Sequence, residues 1–122
     1  VKVLIKVGAG ENWHQLVMWA ISHDLGGIEN LALIPGCVGA APMQNIGAYG
    51  IEQESVFHSL SAIDLNKGTT CIFFNEDCKF GYRESIFKNE AKGKYLITHV
   101  NYILSKKHKL NTTYGAINNK LE

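Results

Sequence analysis

The stretch Val1-Lys2-Val3-Leu4-Ile5-Lys6-Val7-Gly8-Ala9-Gly10, running on into Glu11-Asn12-Trp13-His14-Gln15-Leu16-Val17-Met18-Trp19-Ala20-Ile21, sets the reading of the fold. Val3, Ile5 and Val7 alternate with Lys2 and Lys6, the period of a half-buried strand. Gly8-Ala9-Gly10 breaks that period. Trp13, Leu16, Val17, Ala20 and Ile21 then fall at the spacing of one helix face, which predicts an amphipathic helix with those side chains inward. Met18 and Trp19 lie off that face and mark an inter-domain contact or an exposed apolar spot. Gly26-Gly27 is expected to stop the helix, because glycine takes the left-handed turn that closes one.

Working outward, two strand-like runs between Val56 and Phe74 flank Asn66-Lys67-Gly68, a hairpin turn with glycine available for positive φ. Asn75 is expected to cap a short helix with Glu76 and Asp77 in its first turn. Pro35 suits the first position of another short helix after Ile34. Tyr95 to Leu104 reads as a further strand with Leu96, Val100, Tyr102 and Leu104 on one face. Hairpins outnumber βαβ units, so the expected class is α+β, a mainly antiparallel sheet with flanking helices.

A chain of 122 residues that is 46% apolar can bury a core as one domain. A net charge of +1 argues for neither a nucleic-acid partner nor an anionic membrane. Lys106-Lys107-His108-Lys109 reads as a solvated turn. No run approaches the roughly 20 apolar residues of a membrane helix, and no signal-peptide pattern is visible. Cys37, Cys71 and Cys78 lack a C-x-x-C pair, and no two histidines stand at ligand spacing. Neither a disulfide framework nor a metal site is therefore expected, and reduced thiols fit a cytoplasmic protein. The chain opens directly on a strand and closes on the polar Asn118-Asn119-Lys120, which reads as residues 1–122 forming a single domain of a longer parent.

Two places invite chemistry. Leu31 to Gly50 is dense in Gly and Ala and nearly free of charge. Glycines there let main-chain N–H groups approach a phosphate or a flat ring; a tightly packed structural loop is the other reading. Neither G-x-G-x-x-G nor a P-loop pattern is present. The second place is Phe80-Gly81-Tyr82-Arg83-Glu84-Ser85-Ile86-Phe87. A guanidinium among apolar residues needs a partner, and its planar fork matches a carboxylate. An ion pair with Glu84, Glu90 or another acid would satisfy it equally. Cys37, near a possible helix start, is either a thiol of lowered pKa or an inert small residue.

Gly8-Ala9-Gly10-Glu11-Asn12-Trp13-His14, Glu29-Asn30-Leu31-Ala32-Leu33-Ile34-Pro35-Gly36, Gln44-Asn45-Ile46-Gly47-Ala48-Tyr49-Gly50 and Phe80 to Phe87 occur in an order and spacing that resemble the UDP-N-acetylenolpyruvoylglucosamine reductase (MurB) family. The resemblance runs from Val3 to about Tyr114. It implies a flavoprotein fold of the vanillyl-alcohol-oxidase type, with this chain as the second FAD-binding subdomain. It implies further that NADPH reduces bound FAD, which reduces UDP-N-acetylglucosamine enolpyruvate to UDP-N-acetylmuramate for peptidoglycan. By the same resemblance, the backbone of Pro35, Gly36, Cys37, Val38, Gly39, Ala40, Gln44, Asn45, Ile46 and Gly47 lines FAD. Arg83 is the catalytic arginine that meets the substrate carboxylate, Tyr82 positions Arg83 or the flavin, and Tyr49 and Tyr114 lie near the substrate.

The family's serine acid in a Gly-Ser-Phe-Phe context, its late glutamate and its amino-terminal Gly-rich loop have no counterpart in this sequence. Ser85 follows Arg83 closely but does not match the acid's motif. The segment is thus expected to supply part of the pocket, beside the parent's missing domains, and not to catalyse alone. A non-catalytic binding module, or another flavin oxidoreductase of the same superfamily, remains the alternative.

Overall fold

The computed structural model describes residues 1–106, and β7, the last strand in it, holds the sheet together. The strands are β1 (Lys2–Gly8), β2 (Leu25–Gly26), β3 (Gly47–Ala48), β4 (Ile51–Glu52), β5 (Phe57–Asp64), β6 (Thr70–Phe74) and β7 (Tyr95–Lys106). The helices are α1 (Trp13–Ser22), α2 (Ala40–Gln44) and α3 (Asn75–Cys78). The main sheet runs β1-β7-β5-β6, with β2 against the far end of β7, and every pairing is antiparallel. β3 and β4 form a separate small hairpin. This is the α+β, mainly antiparallel class that the sequence predicts.

Alternation in β1 buries Ile5 and half-buries Val3 and Val7, while Lys2, Leu4 and Lys6 stay out. Asn12 caps α1 by accepting the Gln15 N–H at 2.9 Å. The inward face of α1 is Trp13, Leu16, Val17 and Ala20. Burying each of the larger three is worth roughly 1.5–3 kcal/mol before the ordering entropy. Trp13 meets Tyr102 of β7 edge-on at 5.8 Å, and its Nε1 donates to the Leu31 carbonyl at 2.9 Å. In the β5–β6 hairpin the Asp64 carboxylate accepts the N–H groups of Asn66 and Lys67 at 2.9 and 3.1 Å. Gly68, at φ 74°, closes the turn as expected.

Five local expectations are corrected. Ile21 is 45% exposed and does not join the core face of α1. Gly26-Gly27 does not stop that helix: it ends at Ser22, where the His23 N–H reaches the Trp19 and Ala20 carbonyls and Asp24 takes the left-handed turn at φ 58°. Pro35 starts no helix. Residues 35–39 are irregular, α2 begins at Ala40, and Pro42 lies in its first turn, where a missing N–H costs nothing. Asn75 is the first residue of α3 and not its cap; its amide reaches back to the Glu54 and Phe57 carbonyls, while the Asp77 carboxylate takes the Phe74 N–H at 2.8 Å.

Leu96 is the fifth. Ser61 pairs with His99 but Ala62 with Ile97, so Thr98 is an extra residue in β7. Val100, Tyr102 and Leu104 are buried on one side of this bulge. On the other side the parity flips, so Tyr95 and Ile97 pack on the core and Leu96 is 55% exposed.

Candidate functional site

The Gly-rich segment does two jobs. Its first half is stitched to the β1–α1 turn: Trp13 N–H donates to the Gly36 carbonyl (2.9 Å), Val38 N–H to Glu11 (2.8 Å) and Gly39 N–H to Ala9 (2.9 Å). A Cβ on Gly39 would stand 2.7 Å from the Ala9 Cβ, so glycine is required there by the chain's own packing. Val38 is fully buried. The packed-loop reading therefore holds for Val38 and Gly39, whose amides are committed. The outer surface of the same half helps line a groove of about 460 Å³, together with Ala9, Gly10, Phe87, Ala91, Gly93, Tyr95, Leu96 and Ile97. The segment contributes Cys37, Gly39, Ala40 and Met43, and no charged side chain lines the groove. Pro35, Gly36 and Gln44 are exposed and do not line it.

The second half builds a seat. α2 ends on Asn45 in the left-handed conformation, φ 45°. Gly47 and Ala48 then pair with Glu52 and Ile51 across a two-residue turn, Tyr49-Gly50, with φ of 55° and 77°. Positive φ at both turn positions is the type I′ geometry that tight hairpins favour. Tyr49 stands 89% exposed at its tip.

Arg83 comes to this hairpin from a second tight turn, in which Gly81 and Glu84 exchange backbone hydrogen bonds of 3.0 and 3.1 Å. Its own φ is 52°, an unusual value for a residue with a side chain. Nη1 donates to the Glu52 carboxylate at 3.1 Å and to the Asn45 carbonyl at 3.3 Å, and Nη2 donates to the Gly47 carbonyl at 2.9 Å. Nε makes no bond to the described residues, and each Nη carries two hydrogens. At least Nε–H and one Nη2 hydrogen thus have no partner among the described residues. The Arg83 and Glu52 side chains are 34% and 29% exposed, so the pair is half-buried and open on one side. The exposed Tyr82 ring lies against the guanidinium, 4.6 Å from its centroid.

Arg83, Tyr82, Gly47, Asn45 and Tyr49 are therefore gathered around one hairpin. Ile46 lies half-buried between the two halves, its carbonyl accepting the Gln53 N–H at 2.8 Å. Tyr114 falls outside the described residues. Ser85 is buried; its hydroxyl donates to the Met43 carbonyl at 2.7 Å and accepts the Phe87 N–H at 3.1 Å, a structural link between the two loops. Of the acids open to Arg83 as ion-pair partners, neither Glu84 nor Glu90 but Glu52 is the one that pairs with it, and the sequence did not single Glu52 out. The Tyr49-Gly50 pair, read as a hairpin turn, would have set Glu52 opposite Gly47 and exposed the pairing.

Comparison with known proteins places the chain in a family. Residues 1–73 match the family model described as FAD binding domain. The chain is similar to UDP-N-acetylenolpyruvoylglucosamine reductase of Flavobacterium johnsoniae (53% identical over 94% of this chain and 34% of that protein). It is likewise similar to the enzyme of that name from Pseudomonas aeruginosa (48% identical over 98% and 35%). The chain thus spans about a third of the length of these curated relatives. Among solved structures, the Thermus caldophilus UDP-N-acetylenolpyruvylglucosamine reductase superposes with a TM-score of 0.76 at 28% identity, over 89% of this chain and 39% of that one.

Proposed function

The chain belongs to the FAD binding domain family, and from that premise we propose that it forms one wall of the flavin pocket of a longer UDP-N-acetylglucosamine enolpyruvate reductase and supplies the arginine that faces the substrate. The observation that carries this reading is Arg83, held at three points by the chain, covered on one face by the exposed Tyr82 ring, and keeping its Nε–H unpaired among the described residues.

The groove suits the cofactor's flat ring, because its walls are mainly apolar, small on the Gly-rich side and free of charge. Cys37, Gly39, Ala40 and Met43 would hold that ring from the Gly-rich side. The amides of Val38 and Gly39 are already spent and would not hold its phosphates. Bound FAD supplies the hydride relay from NADPH to the enolpyruvyl group.

The chain's own contribution is electrostatic. The free Nε and Nη2 donors would take the substrate carboxylate as a fork. Reduction of the enolpyruvyl double bond builds negative charge toward that carboxylate, and a cation fixed beforehand lowers the barrier without reorganising. Glu52 and the Asn45 and Gly47 carbonyls aim the guanidinium, and Tyr82 covers its face. Tyr49, at the hairpin tip, would border the substrate. The same reading implies the cytoplasm as the compartment; no helix among the described residues is long and apolar enough to cross a membrane.

The test is Arg83→Ala in a full-length reductase carrying this segment. Turnover should fall roughly 10²–10³-fold, the usual cost of removing one preorganised charge-stabilising donor, with flavin retained. Unchanged turnover would remove the arginine from its role.

A further inference from the structure

We propose that Tyr102, Gln53 and Asn45 form a buried positioning relay that ties the turn carrying Arg83 to the central strand of the sheet. The inference rests on the reading of Arg83 as the substrate-facing cation. All three residues are fully buried. The Tyr102 hydroxyl donates to Gln53 Oε1 at 2.8 Å, Gln53 Nε2 donates to Asn45 Oδ1 at 3.0 Å, and Asn45 Nδ2 donates to the Gly81 carbonyl at 2.8 Å. The direction is fixed by backbone groups at its end: the Gly81 carbonyl only accepts, and the Glu54 N–H, 3.2 Å from Asn45 Oδ1, only donates.

Asn45 thereby grips Arg83 twice. Its side chain holds the turn two residues upstream, and its main-chain carbonyl receives Nη1. Gln53 is the next residue after Glu52, the guanidinium's acidic partner, so moving its amide moves the carboxylate too. Burial pushes the Tyr102 hydroxyl well above its ordinary range, so this donor keeps its proton at every working pH. A polar chain is a costly way to fill a core that apolar side chains would fill as well. A left-handed Arg83, at φ 52°, persists only where its surroundings over-determine it. The relay provides that constraint at a position where the cation's aim matters.

The experiment compares Asn45→Gly, Tyr102→Phe, Arg83→Ala and the Asn45→Gly/Arg83→Ala double variant in a full-length reductase carrying this segment. Asn45→Gly permits the left-handed backbone and removes the side chain with its amide. It is read by turnover of UDP-N-acetylglucosamine enolpyruvate and by amide hydrogen exchange at Gly81 and Glu84. The expected result is a kcat loss of roughly 10–100-fold, exchange about tenfold faster at both turn amides, and unchanged exchange at Leu60 and Val100. In the Arg83→Ala background, Asn45→Gly should cost no further rate. Equal losses in both backgrounds would overturn the relay, as would unaltered exchange at Gly81 and Glu84. If Asn45→Gly loosens the whole sheet, Tyr102→Phe decides: it keeps the ring and removes one donor, and a variant that moves neither kcat nor turn exchange sinks the proposal. An Arg83→Ala enzyme of full activity would instead defeat the functional reading while the exchange data still judged the relay.

Discussion

Gly47→Ala asks whether the seat of Arg83 is built by the chain alone. A Cβ at this position would lie 2.6 Å from the Ile51 carbonyl oxygen, 2.8 Å from Arg83 Nη1 and 2.9 Å from Glu52 Cγ. Against an ordinary contact of 3.4 Å, the shortfall at the backbone carbonyl is roughly 0.8 Å. A flexible side chain could swing away; a carbonyl on the opposing strand cannot do so without opening the β3–β4 hairpin. The guanidinium must back off at the same time, loosening its 2.9 Å bond to the Gly47 carbonyl. Overpacking of this kind costs roughly 1–3 kcal/mol. For a domain of this size that is a melting temperature lower by roughly 4–12 °C. The assay is thermal unfolding of the flavin-free protein followed by circular dichroism. A glycine kept only so that flavin can approach would leave the flavin-free melting temperature untouched. An unchanged value therefore refutes the claim that Gly47 is glycine to seat Arg83.

Iodoacetamide at pH 8 should modify the exposed Cys37 and spare Cys78, whose thiol is pushed up to about 12, first by burial and then by the Asp77 charge; mass spectrometry finding alkylated Cys78 in folded protein would contradict that burial. Because an unfolded thiol ionises near 9.0 while the folded one keeps its proton, Cys78 should make stability fall as pH rises above about 9, and Cys78→Ala should flatten that alkaline limb in denaturant titrations. The Asp64 carboxyl is held below its usual 3.8 by the Lys67 and Asn66 N–H groups, so its contribution to the hairpin is present above that value and lost as pH falls through the folded pKa. A carboxyl carbon resonance that titrates at or above 3.8 would reject that turn. Residues 1–122 purified alone should be colourless or nearly so, because they offer one wall of the pocket; a stoichiometric, tightly held yellow flavin would contradict the proposal.

Much of this was legible because short-range periodicity carried it. The α1 face, the Asn66-Lys67-Gly68 turn and the α+β class follow from apolar spacing and turn chemistry, and the Gly8–His14, Glu29–Gly36 and Gln44–Gly50 runs carried the family resemblance. The misreadings share a cause: a local rule met a tertiary competitor. Gly26-Gly27 looked like a helix stop, but Leu25 and Gly26 are taken by pairing with β7. Asn75 looked like a cap, but its amide is drawn to Glu54 and Phe57. Leu96 had the right parity for the core until one extra residue reversed it. In the site, Arg83 and its need for a partner were visible, whereas Glu52 was not, because 31 residues separate them and only two independent turns bring them together. The uncharged Gly-rich run is compatible with a cradle or a packed loop, and only tertiary contact decides: the Val38 and Gly39 amides are spent on the turn after β1.

The surplus residue in β7 also bears on how this sequence can drift. Losing Thr98 would turn the strand's leading end over, sending Tyr95 and Ile97 outward and forcing Leu96 beneath the sheet. Tyr95 would then forfeit its edge-on packing with Phe73 at 4.9 Å and Phe87 at 6.4 Å, and the Ala9 N–H would lose the Thr98 carbonyl. Both ends of β7 are pinned, by β1 and β2 at one and by the Phe73–Phe87 cluster at the other. The count of residues in this strand is therefore as tightly fixed as its buried side chains, and the turns are where an insertion or deletion would be absorbed at least cost.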